Sequence, residues 1–252
     1  HWIIEARKRA RLPIEKISPN AMLSFKPMSI RQPSFTSDDL GPRDHLLKTA
    51  ITLFSARGYD GASVNDIVKH AGVSKRMVYH YFTNKSLLYQ ETLSYAYNEL
   101  REMEKAAIFA ATSLEDAVKR LVRVYFDWPR EHPLYSRLLR WENLNDGHGL
   151  ENNKFPLSKD IIVNRLKAII AKEADGIKWH TDIKAPLLLI TIIGMCQIYV
   201  SHRYTLSQGL HIDLGTDAAI KRGIANAEHY LLAGMRPASV ASSVETKSKK
   251  KA

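Results

Sequence analysis

From Ser63 to Lys85 the chain reads SVNDIVKHAGVSKRMVYHYFTNK, with apolar residues at Val64, Ile67, Val68 and Ala71. That i, i+3, i+4, i+7 spacing predicts a helix with one buried face. Gly72 predicts its end, because glycine takes the left-handed backbone of a helix terminus without a side-chain clash. Ser74 is expected to start a second helix by offering its side-chain oxygen to the free amides of the first turn. Val78 and Phe82 form the buried side of that helix. At about 100° per residue, Arg76, Tyr79, His80 and Thr83 lie opposite, with Lys75 and Met77 on the flanks. Two short helices joined by a glycine turn, the second with a basic and aromatic outer face, form the pattern of a helix-turn-helix, whose second helix enters the DNA major groove.

The same periodicity extends through the chain. A first helix is predicted from Pro42 or Arg43 to Arg57, with Leu46, Leu47, Ala50, Ile51 and Phe54 inward and Gly58 at its end. Ser63 and Asp66 predict a capped start for the second helix. A long amphipathic helix follows from Lys85 to about Ala111. Beyond it, helical stripes run from Ser113 to a disturbance at Pro129, from Leu134 to Leu144, from Pro156 to Ala174, over 183–203 with Asp182 as cap, and over 217–234 with Thr216 or Asp217 as cap. No strand alternation or long repeat interrupts them. The chain is therefore expected to be all-α: a basic, disordered extension at 1–40, a three-helix head at 41–92, a helical body at 93–236 and a Ser/Lys-rich tail at 237–252.

Charge separates these segments. The net charge is +11, of which residues 1–36 carry +5, residues 41–90 carry +4 and residues 237–252 carry +3, leaving residues 91–236 close to neutral at +1. A basic head on a neutral body is the distribution of a DNA-binding module attached to a domain with another task. The basic ends are read as solvated tails, the first having a minor-groove arm as its alternative. The single cysteine, Cys196, excludes an internal disulfide framework and suggests a reducing compartment, and with a DNA-binding head the expected location is the cytoplasm, in association with the nucleoid. The longest apolar run, Ala185–Val200, falls short of a membrane span and contains Gln197, so it reads as a buried helix. Glycine-rich phosphate loops, nucleophile elbows and metal-ligand spacings are missing, so neither catalysis nor a cofactor or metal is expected.

The stretch GYDGASVNDIVKHAGVSKRMVYHYFTNKSLL resembles the N-terminal domain of TetR-type transcriptional regulators. The resemblance rests on the aromatic after Gly58, Ile67 with Ala71-Gly72-Val73-Ser74, Val78-Tyr79-x-Tyr81-Phe82, and Lys85-x-x-Leu88. It covers residues 42–92 without a gap. Shorter pieces of the body resemble the subgroup that includes the pyrimidine-utilisation repressor: Arg130-Glu131-His132-Pro133 with Ser136-Arg137-Leu138 and Glu142, the Gln197-x-Tyr199 pair, and Gly234-Met235-Arg236-Pro237. These pieces bear on fold and subgroup, not on a pyrimidine ligand. The resemblance implies a homodimer that binds a double-stranded DNA operator and a small-molecule effector and does not engage a membrane. Repression relieved by the effector is the expected outcome; co-repression, activation or a nonspecific architectural role are its alternatives.

Candidate side chains follow from chemistry and resemblance together. Arg76 can present two parallel donors to guanine, His80 can reach a base edge or phosphate, and Met77 can cover a thymine methyl. The resemblance places Tyr79, Tyr81 and Lys85 on the phosphate backbone, with packing as the alternative for both tyrosines. Arg43, Ser74 and Lys75 complete the DNA-facing set. The effector cavity is expected among Tyr125, Trp128, Trp141, Gln197 and Tyr199. An amide within an apolar helix demands hydrogen bonds, so Gln197 serves either a ligand or a dimer interface. The aromatics alternatively fill the core, and Cys196 is read as a small buried hydrophobe or a redox sensor.

Overall fold

The predicted stripes all become helices in the computed structural model, which describes residues 41–150 and 158–237; among the described residues there is no strand. The extension at 1–40, residues 151–157 and residues 238–252 lie outside the described residues, as do the expectations placed on them.

Helix α1 is Pro42–Gly61, with Leu46, Leu47, Ala50, Ile51 and Phe54 buried as the spacing requires. Its regular part breaks at Gly58, where φ is 70° and ψ −178°, and one further turn carries the chain to Gly61. Helix α2 is Val64–Ala71. Its start is a reciprocal cap: the Asp66 amide donates to Ser63 Oγ at 3.0 Å, while the Ser63 amide and hydroxyl donate to the Asp66 carboxylate at 3.3 and 2.7 Å. The Ser63 hydroxyl, then its amide, hold that carboxyl below its ordinary range. Gly72 closes α2 in the left-handed conformation at φ 65°. Helix α3 is Lys75–Phe82, and here one expectation is corrected: Ser74 occupies the N-cap position but its side chain makes no capping bond. The turn closes through its backbone, the Met77 amide donating to the Ser74 carbonyl at 3.0 Å, and the exposed hydroxyl is left facing outward.

Asn84 caps α4, Lys85–Phe109, by accepting from the Leu87 amide at 2.8 Å. Helix α5 is Leu114–Glu131 and runs through Pro129 instead of stopping there, since a proline in the last turn removes a single hydrogen bond. Helix α6 is Pro133–Leu144, followed by a short turn at His148–Leu150; α7 is Asp160–Glu173. The apolar run forms α8, Ala185–Ser201, with Lys184 and not Asp182 at the N-cap position. It stops two residues before the expected 203 and bends by 74° into α9, Arg203–Leu210. The bend falls where the apolar run gives way to the polar sequence RYTLSQGL, which gains little from continued burial. Helix α10, Asp217–Gly234, is capped by Thr216 as expected. Among the described residues no single helix is long and apolar enough to cross a membrane.

Head and body meet where α1 packs on α6. The Trp141 indole N–H donates to the Ser55 carbonyl at 3.1 Å, and its ring lies 3.0–3.3 Å from where a side chain on Gly58 would begin. The next residue, Glu142, is buried and accepts from the Tyr89 hydroxyl at 2.8 Å and the Gly149 amide at 2.6 Å, tying α6 to α4. Burial, reinforced by that carboxylate, pushes the Tyr89 phenol well above its ordinary range, so it stays a donor. Deeper in the body, Glu104 is fully buried and accepts from Tyr125 at 2.5 Å and from Lys159 at 2.5 and 2.6 Å.

Two stability outcomes follow from these contacts. Gly58→Ala forces a side chain into a conformation open almost only to glycine and against the Trp141 ring, and should cost at least about 1–3 kcal/mol in urea unfolding; a parent-like midpoint would mean the joint relaxes freely. Lys159→Met strands the Glu104 carboxylate, and since Lys159 is 29% exposed the loss should sit near the lower end of about 3–5 kcal/mol. Adding Glu104→Leu to that variant should restore most of the lost stability, whereas a further loss would show that the pair itself is not what Lys159 supplies.

Candidate nucleic-acid interface and ligand cavity

The head presents α3 outward. Ser74, Lys75, Arg76, Tyr79 and His80 are exposed, with Val78 and Phe82 buried beneath them, so the helix is positioned by its apolar side and leaves its polar side free to meet a groove. Tyr79 is 49% exposed, unusual for an aromatic with core available nearby. Met77 is half-buried at the edge of this face. Tyr81 is half-buried too and packs on the core beside His80, its ring 4.9 Å from the imidazole, so the packing alternative accounts for part of this residue.

The two outer cations of the predicted set are held by the protein. Lys85 Nζ stands 4.2 Å over the Tyr59 ring, which is the use the structure makes of the aromatic after Gly58. Arg43 donates to Glu91 at 3.0 Å and lies 5.0 Å over the Phe82 ring, so its charge is partly met within the head. Lys75 and Arg76 form no ion pair among the described residues.

The body carries a half-open pocket of about 610 Å³ between α4, α5, α6 and α8, a volume within the usual range for small-molecule sites. Of the five side chains expected there, Tyr125, Trp128 and Gln197 line it. Trp141 does not: it is the wedge between α6 and the head described above. Tyr199 does not either. Two residues along α8 from Gln197 it faces away from the cavity, and its ring packs 5.1 Å from Phe126 and against Gly223. Tyr125 faces Glu104, and burial followed by that carboxylate raises its phenol far above the ordinary range, keeping it a hydrogen-bond donor. Cys196 is fully buried, burial alone pushes its thiol up to about 12, and it therefore packs as a small apolar residue with no thiolate to oxidise.

Sequence reasoning passed over the α6 wall. Ser136, Leu139, Arg140 and Asn143 line the cavity together, and their i, i+3, i+4, i+7 spacing was available as a signal of one helix side with mixed polarity. Lys159 also reaches the wall, but its role depends on Glu104, 55 residues away, which no local pattern connects to it. Among the described residues no group of three or more His, Cys, Asp or Glu could hold a metal ion.

Comparison with known proteins matches both parts of the chain. Residues 46–92 match the model of bacterial regulatory proteins of the tetR family, and residues 115–227 match the tetracyclin repressor-like C-terminal domain. The HTH-type transcriptional repressor NicS of Pseudomonas putida is 30% identical over 196 residues, 77% of this chain and 92% of that protein. The negative regulator IcaR of the icaADBC biofilm operon in Staphylococcus aureus is 33% identical over 61 residues, 24% of this chain and 33% of its own length. Among solved structures, the fatty acid degradation regulator FadR of Bacillus halodurans aligns with a TM-score of 0.58 at 17% identity, over 78% of this chain and 97% of its own. FadR of Bacillus subtilis in complex with stearoyl-CoA aligns with a TM-score of 0.56 at 16% identity, over 77% and 99%. These structures share the fold. With an all-helical body, an outward-facing second helix in the head, and both domains matched in order, the chain belongs to the TetR family and is a DNA-binding transcriptional regulator, not an enzyme.

Proposed function

We propose that the chain is a homodimeric repressor whose two heads bind half-sites of a palindromic operator and whose body releases them when a small molecule fills the cavity. The observation that carries the reading is the placement of α6, which lines the cavity with one side and seats Trp141 on the head with another. A ligand that favours one position of α6 thereby favours one position of α1, and only its differential affinity for the two states can drive the change.

On the DNA side, Arg76, Met77 and His80 are assigned to base edges. Ser74, Lys75, Tyr79 and Tyr81 are assigned to phosphates, with Arg43 and Lys85 approaching phosphates only after yielding part of their contacts with Glu91 and Tyr59. Two heads related by a two-fold axis require half-sites about 34–36 Å apart, or a multiple of that spacing. The second copy is assigned to α8 and α10. There Leu187, Ile190 and Tyr230 are each more than 60% exposed, and Gly194 opens a gap on the same side of α8 where another helix can approach.

Binding to the upstream region of the protein's own gene, followed by gel shift and footprinting across salt concentrations, tests the assignment. Arg76→Ala should cost about 1–3 kcal/mol and relax sequence preference at its base pair, while Tyr79→Ala should weaken all sequences alike. Salt-sensitive binding with no sequence preference in the parent chain would overturn the operator reading. Ile190→Asp should convert a dimer to a monomer in light scattering and weaken operator binding, and a dimer that survives it would move the interface elsewhere.

A further inference from the structure

The cavity holds more donors than acceptors, and its charges do not balance. Lys159 is matched by Glu104, whose carboxylate is also taken by Tyr125. The second buried carboxylate nearby, Glu142, is turned to Tyr89 and Gly149. Arg140 is different. It lines the cavity from α6, and its one hydrogen bond to protein runs from Nη1 to the Val200 carbonyl at 3.2 Å. Among the described residues no carboxylate lies within ion-pair distance of it. Burial, then the neighbouring Arg137, lower its proton affinity, the signature of a cation in want of a counter-charge. A second donor points the same way: Trp128, 1% exposed and a wall residue of this cavity, has a buried indole N–H with no acceptor. Native proteins rarely leave such groups unmet. The remaining wall is largely apolar, with Leu100, Leu139, Leu144 and Ile193 beside the ring of Tyr97.

We infer that the effector is a singly charged carboxylic acid with an apolar or aromatic body, its carboxylate paired with Arg140 and the Trp128 N–H serving as a second donor. One cation without a carboxylate fits one negative charge, and a guanidinium that spends one N–H on the Val200 carbonyl keeps enough donors to give a carboxylate two in parallel. A dianionic phosphate would bring a second charge for which the wall holds no further fixed cation: Lys159 is already paired with Glu104, and the other polar groups are the neutral Ser136, Asn143, Gln197 and Ser201 and the imidazole of His202. This inference rests on the reading of the cavity as the effector site. It adds a reason for the position of the charge, since an anion on Arg140 pulls on the helix that holds the head.

Calorimetric titration of the full chain with benzoate, 3-phenylpropanoate and octanoate, each beside its neutral amide, tests it. At least one acid should bind about tenfold or more tightly than its amide, and Arg140→Gln should remove that preference while Arg140→Lys keeps part of it. Trp128→Phe, which deletes the N–H, should weaken the same acid more than its amide, since the bond to a carboxylate is charge-assisted, and it serves if Arg140→Gln fails to fold. Amides that bind as well as acids, acids unaffected by Arg140→Gln, or no binding by any of the three acids would each overturn the inference. Operator release separates the two readings. An acid that binds through Arg140 but leaves the operator occupied upholds the site and overturns its role as the release switch.

Discussion

The packing of α1 on α6, where the head meets the body, turns on one close approach, the Trp141 indole laid on the backbone of α1 at Gly58. A side chain at position 58 would begin 3.0 Å from that ring, so any residue but glycine would push the indole back, and the positive φ there favours glycine as well. The indole N–H donates to the Ser55 carbonyl, three residues before the break at Gly58. One side chain thus fills the space that glycine leaves and adds a directed hydrogen bond to the same turn. The head is held by shape and by a directed bond together, which fixes its angle better than apolar contact alone.

The buried carboxylates divide the body in a similar way. Glu142 has neutral donors on both oxygens and braces α6 against α4, next to the head. Glu104 binds a cation and a phenol and braces α4 against α5 and the start of α7, beside the cavity. Each is costly to bury and each is satisfied, so both specify geometry more than they add stability. Arg140, on the same helix as Glu142, has no carboxylate within ion-pair distance among the described residues.

Much of this was legible in the chain, and what was not has identifiable causes. The head could be read because its information is local: Val64 to Ala71, Gly72, Val78 and Phe82 fix two helices and a turn within twenty residues, and the resemblance adds register. The body helices could be read for the same reason, apart from their ends, where Asp182 was chosen as cap over the geometry at Lys184 and the bend at His202 left no glycine or proline to announce it. The cavity was half legible. Tyr125, Trp128 and Gln197 stand out by type, but Trp141 stands out equally and serves the head, and Tyr199 follows Gln197 in sequence while lying on another side of the helix. Nothing in the sequence sets Arg140 and Lys159 apart from ordinary surface charges, because the pairing of Lys159 with Glu104 and the placement of Arg140 in the pocket wall exist only after folding.

The adjacency of Arg140 and Trp141 gives α6 the character of a crank. Consecutive side chains leave a helix about 100° apart, so a helix turning on its own axis cannot move one without the other. With side-chain tips about 5–6 Å from that axis, a turn of about 10° carries each through about 1 Å. In the cavity that is the difference between a made and a broken hydrogen bond. At Gly58, where the contact is already tight, a turn that brings the ring closer would press on the backbone of α1.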